Sequence, residues 1–152
     1  MAPRRRRREP GKKPPVDMRG FREAWGRKPP AKSPWIVNGA LSLTAERLLR
    51  LRADELTGLF KAMDLVEWTP QTREAAMGPV REAMAHQDVI VKHMQGRYLE
   101  TARALERAQA EGREEGELTR WVNEYARSRN EAEALLRRLL NVRDELGRIR
   151  TG

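Results

Sequence analysis

Two long stretches of this sequence carry a seam position every three or four residues, and only a turn-forming segment separates them. The first seam runs Met77, Val80, Met84, Gln87, Val91, Met94, Tyr98, Thr101, Leu105, Ala108. The second runs Leu118, Trp121, Tyr125, Ser128, Ala132, Leu135, Leu139, Val142, Leu146, Ile149. Spacing of this kind lays one stripe along the side of a helix. Between the seams lies Glu111-Gly112-Arg113-Glu114-Glu115-Gly116-Glu117, with Gly112 suited to the left-handed residue that ends a helix. Two helices joined by so short a turn pack antiparallel. At about 1.5 Å per residue, each arm from Val80 onward spans roughly 45 to 50 Å. The predicted fold is therefore all-α: short helices, then a long, coiled-coil-like antiparallel helical hairpin over 68–152 that turns near 111–117.

Signals upstream of the seams fix how the hairpin begins. In Trp68-Thr69-Pro70, Thr69 suits the N-cap and Pro70 the first helical position, where its missing N–H costs nothing. Gly78-Pro79 interrupts the run, and a kink or a helix restart is expected there because Pro79 lacks a donor for the preceding turn. Over residues 42–67, Leu43, Leu48, Leu49, Leu51, Leu56, Leu59, Phe60 and Met63 recur at helical spacing. Ser42 or Thr44 suits a cap, and Asp54 suits the start of a second helix after a break near Ala53. Two short helices and one bent helix fit equally well.

Ahead of them, residues 1–41 read as a basic, Pro-rich flexible arm. Seven of the nine prolines fall within residues 1–34, with almost no aliphatic side chains to bury against the cost in chain entropy. The same 34 residues hold 12 Lys and Arg against 3 acids, and so carry the whole +9 net charge of the protein. The rest of the chain is electrically balanced. A segregated cationic segment of this kind displaces condensed counterions and binds polyanions without sequence preference. The residues assigned to nucleic-acid binding are Arg4, Arg5, Arg6, Arg7, Arg8, Lys12, Lys13, Arg19, Arg27, Lys28 and Lys32. Gly11-Lys12-Lys13-Pro14-Pro15 and Gly26-Arg27-Lys28-Pro29-Pro30 form a short repeat in which proline holds each basic pair extended. Between the repeats, Phe21-Arg22-Glu23-Ala24-Trp25 suits a single helical turn that docks Phe21 and Trp25. Trp25 and Trp35 each fit either packing of the arm on the body or stacking on a nucleobase.

Catalytic chemistry finds no foothold. Without cysteine there is neither a disulfide nor a thiolate metal site. His86 and His93 lie two turns apart, near Glu82 and Asp88, and read as a solvated helix face. Acids tend to sit three or four residues from an arginine, as Glu100 does from Arg103 and Glu133 from Arg137, the pattern of a salt-laced surface. No strand precedes a glycine-rich loop, and no serine or lysine sits in a nucleophile motif. No enzyme, cofactor or metal is therefore expected. No run approaches the roughly 18 apolar residues of a membrane span, so a soluble intracellular protein is expected. Trp68, Trp121 and Tyr125 are expected in the core. Leu136, Leu140, Val89 and Leu99 fall on flanks that the partner helix leaves partly wet, and are assigned to homo-oligomer contacts.

Three segments carry a family resemblance. The Arg-run followed by Glu9-Pro10-Gly11-Lys12-Lys13-Pro14-Pro15, the Leu65-Val66-Glu67-Trp68-Thr69-Pro70 opening of a long helix, and the helix end Leu139-Leu140-Asn141-Val142-Arg143-Asp144-Glu145-Leu146-Gly147 resemble features of tailed-bacteriophage terminase small subunits. The resemblance implies a non-catalytic subunit in the host cytoplasm that binds double-stranded viral DNA. It also implies assembly of the subunit into a ring that delivers DNA to a large terminase ATPase/nuclease subunit. The alternative is a structural or scaffolding helical-hairpin protein whose basic arm binds nucleic acid during assembly. A small nucleoid-type architectural protein is a third reading.

Overall fold

A computed structural model describes residues 33–151. The eleven basic residues assigned to nucleic-acid binding lie outside the described residues, as do the two Gly-basic-basic-Pro-Pro repeats and the Phe21–Trp25 segment. The described chain forms strands β1 (Ile36–Val37) and β2 (Ala40–Leu41), then helices α1 (Ala45–Leu48), α2 (Ala53–Leu65), α3 (Pro70–Ala110) and α4 (Gly116–Arg148). It is helical, with short helices followed by a long helical pair.

The strands were not anticipated. Asn38 and Gly39 both have positive φ, 54° and 79°, the type I′ arrangement that joins two strands with matching twist. Ile36 pairs with Leu41 and Val37 with Ala40. The ladder is extended where Ser42 N–H donates to the Trp35 carbonyl at 2.8 Å. Trp35 is only 2% exposed, and the Arg47 guanidinium lies 3.7 Å from its ring centroid. The Arg47 Nη1 donates to the Pro34 carbonyl at 2.7 Å. The structured body thus reaches back to Ser33, into the segment that composition assigns to the arm.

Of the two arrangements open for residues 42–67, the chain adopts two helices. Thr44 caps α1, its Oγ1 accepting from Arg47 N–H. In α2, Glu55 reaches back to the Arg52 N–H at 2.9 Å. The loop between them is tied to the hairpin by Arg138, whose Nε donates to the Leu51 carbonyl at 2.9 Å.

Helix α3 begins as its sequence dictates, with Thr69 and Thr72 exchanging capping hydrogen bonds and Pro70 in the first turn. It then runs for 41 residues without interruption through Pro79, so of the kink and the restart expected there the restart does not occur. Proline removes one intrahelical bond. Ala76, Val80 and Ala83 are buried on either side of that defect, and their packing holds the helix in one piece. At its far end Gly112 has φ +69°, Gly112 N–H donates to Gln109 O, and Arg113 N–H donates to Ala108 O at 2.9 Å. That is a full Schellman closure. Helix α4 returns antiparallel over 33 residues, as cross-pairs running in opposite directions show: Arg73 with Ile149, Gln87 with Ala132, Arg97 with Tyr125.

Burial is concentrated at one end of this hairpin. Trp35, Leu48, Leu51, Leu59, Ala62 and Met63 from the short elements close on Ala76, Val80 and Ala83 of α3 and on Leu139, Val142 and Leu146 of α4. Between Gln87 and Ala132, the half that contains the turn, Ala108 is the one buried side chain. There only two helices meet, and two helices cannot seal both flanks of their seam.

Candidate nucleic-acid and assembly surfaces

The described body carries as many basic as acidic residues, and several of its exposed charges pair locally. Lys92 meets Asp88 at 3.0 Å, Arg81 meets Glu74 at 2.8 Å, and Arg127 meets Glu124 at 3.7 Å. These pairs are exposed and each contributes about 0 to 1 kcal/mol. Glu100 with Arg103 and Glu133 with Arg137 do not close to ion-pair distance among the described residues, although the general pattern of short-range pairing is present. His86 and His93 are exposed. Among the described residues no group of three His, Asp or Glu is placed to hold a metal ion, and no helix is long and apolar enough to cross a membrane.

The four residues assigned to oligomer contacts do not gather into one patch. Val89 is 65% and Leu99 39% exposed, whereas Leu136 and Leu140 are half-buried on α4. In the antiparallel register Leu136 lies close to the level of Val89. Leu99 lies ten residues nearer the turn, about 15 Å along the axis.

Trp121 departs from the expected core position and is 41% exposed. It belongs to a ladder near the turn. Trp121 stacks on Tyr125 with ring centroids 6.0 Å apart, the Arg97 guanidinium lies 5.4 Å from the Tyr125 centroid, and that of Arg120 lies 5.7 Å from the Trp121 centroid. Arg97 also donates to the Tyr125 hydroxyl at 3.0 Å, and this bond, followed by the charge of the same group, raises its pKa. One turn nearer the middle, Arg129 lies 4.4 Å from the Tyr98 ring centroid and donates to Gln95 Oε1 at 3.3 Å. Its Nε is buried without a partner among the described residues. These guanidinium–aromatic contacts cover part of an otherwise wet seam. Seam spacing could not reveal this, because it places an aromatic on a face without saying how completely the opposite helix covers it.

Trp68 packs as expected. It is half-buried, and its Nε1 donates to the Met63 carbonyl at 2.8 Å, joining α2 to the start of α3. Beside it lies an apolar cleft of about 210 Å³ lined by Ala40, Leu41, Leu43, Val66, Glu67, Trp68, Thr72, Ala75 and Ala76. Glu67 is its one charged lining residue and forms no ion pair with a described residue.

No protein-family model, no curated protein and no solved structure matches this chain.

Proposed function

We propose that this protein is a non-catalytic DNA-binding subunit of the terminase small-subunit type. On this reading it assembles through its helices into a ring and delivers double-stranded DNA to a large ATPase/nuclease subunit. The observation that carries the reading is the division of charge. The whole +9 excess lies in residues 1–34, while the remainder of the chain is neutral. A cationic arm on a neutral body places phosphate contacts in the arm and leaves the body for assembly. The exposed Val89 and Leu99 and the half-wet distal seam supply apolar area for that assembly. Several copies would bring several arms to one duplex and raise their effective concentration without any new contact.

The test is to remove residues 1–32, leaving Ser33, Pro34 and Trp35 to keep their contacts with the body, and to titrate duplex DNA across a range of salt. Affinity should fall, and the log–log salt slope should flatten by about 0.9 for each phosphate no longer neutralised. Equal affinity and slope in the full-length and truncated proteins would overturn the reading.

A further inference from the structure

The cleft between the β-hairpin and the start of α3 suits an aromatic side chain that the described body does not supply. Its volume of about 210 Å³ exceeds the ~150 Å³ that admits a benzene ring in an apolar cavity. Leu41, Leu43, Val66, the Trp68 ring, Ala75 and Ala76 give it apolar walls, with Glu67 as the charged lining residue. Two of those walls are fixed in place. Trp68 is held by its bond to the Met63 carbonyl, and Leu41 by pairing with Ile36.

The path of the chain points to the occupant. The Ser42 N–H to Trp35 carbonyl bond sets the stretch just after Ser33 beside the strand end that carries Leu41 and Leu43, both of which line the cleft. The arm therefore joins the body at the edge of the cleft. Seven residues separate Trp25 from Ser33, and eight steps at about 3.3 Å reach roughly 26 Å, ample to fold back. Around Trp25, Arg22, Arg27 and Lys28 outweigh Glu23, a net positive charge that complements a rim whose charge is Glu67.

We propose that the arm docks on its own body, with the Trp25 indole seated in this cleft and its basic neighbours beside Glu67. The anchor leaves the Arg4–Arg8 run and the first basic repeat free to engage a polyanion, and it fixes the point from which they extend. A short tether gives the docking segment a millimolar-range effective concentration, so one buried aromatic can hold it without a large interface. The proposal is separate from the DNA-binding reading, because the contact forms without nucleic acid.

Limited trypsin digestion of the full chain tests it, with cleavage after Arg27 timed against cleavage within Arg4–Arg8 as an internal reference. A docked population of about ten to one slows cleavage at Arg27 about tenfold. Trp25→Ala should restore that factor. So should Ala75→Arg, which blocks the cleft from an exposed helix position, and the double variant should be no faster than either alone. Synthetic peptides spanning 18–32, with Trp or Ala at position 25, correct for intrinsic protease preference. Equal Arg27 rates in the wild type and both variants would overturn the proposal. Acceleration by Trp25→Ala but not by Ala75→Arg would place the indole elsewhere and overturn it too. Protection that grows with protein concentration would make a second copy the occupant and would equally overturn docking within one chain.

Discussion

Gln87 is the one buried polar residue in the described body, and replacing it separates stability from register. It is 4% exposed, and its Nε2 donates across the hairpin to the Ala132 carbonyl at 3.0 Å. That carbonyl lies inside α4 and keeps its intrahelical donor if the side chain is removed. In Gln87→Leu, loss of the interhelical bond costs about 1 kcal/mol. Replacing the amide with methyl groups returns about 0.8 kcal/mol for each carbon buried. The balance is a change of about 1 kcal/mol or less in either direction. Gln87→Ala loses the same bond and leaves a cavity as well, so it should cost about 2 to 3 kcal/mol. A single polar group in an apolar seam penalises every pairing that leaves it unmatched. The Gly112 turn already fixes the register within one hairpin, so the loss of specificity in Gln87→Leu should appear between chains, as a broader distribution of oligomers. Urea unfolding followed by circular dichroism gives the first quantity, and light scattering the second. If Gln87→Leu is destabilised by more than about 2 kcal/mol, like Gln87→Ala, the bond supports stability and not pairing choice, and the reasoning fails.

The uneven burial along the hairpin sets the scale of the other effects. Leu139→Ala, in the closed core, should cost about 2 to 5 kcal/mol, whereas Leu105→Ala in the half-wet distal seam should cost clearly less; equal losses in thermal melts would contradict the burial gradient. Gly112→Ala places a Cβ at φ +69° and should cost about 1 to 2 kcal/mol by denaturant unfolding, with no change in helix content. Val89→Glu combined with Leu99→Glu, at the exposed apolar positions of the hairpin, should reduce oligomer size by light scattering while keeping most of the helicity. A wild-type chain that stays monomeric at micromolar concentration would refute the assembly role outright.

The hairpin was legible because its signals are local and agree with one another. Thr69-Pro70 marks a helix start, Gly112 a helix end, and the two seams have matching lengths on either side of the turn. Of the kink and the restart expected at Gly78-Pro79, the restart does not occur, because propensity is local while Ala76, Val80 and Ala83 are held by tertiary contacts spanning the defect. The β-hairpin went unread for the opposite reason. Asn38-Gly39 is a strong turn signal, but the flanking strands are only two residues each, too short for an alternating pattern, and the proline-rich composition around them outweighed the dipeptide. Trp35 shows the consequence. Its sequence neighbours are Pro34 and Ile36, yet its burial comes from elements further along the chain, and no reading of residues 33–37 alone could reveal that cover.

The same gradient links the fold to the way the molecule would work. Near Trp35 and Leu139 the β-hairpin and all four helices share one core, so this end resists opening and gives the arm a rigid root. Toward Gly112 the two helices are held by partly exposed side chains and guanidinium–aromatic contacts, which yield more readily when a new surface offers better cover. A second chain laid along that stretch would gain more than one laid on the closed core, because there the seam is still open to water. The neutral body also removes a penalty that a uniformly basic protein would face. If +9 were spread over the whole surface, each added copy would repel the last. Confining the excess to residues 1–34 would spare an assembly of several copies that repulsion between their helical bodies.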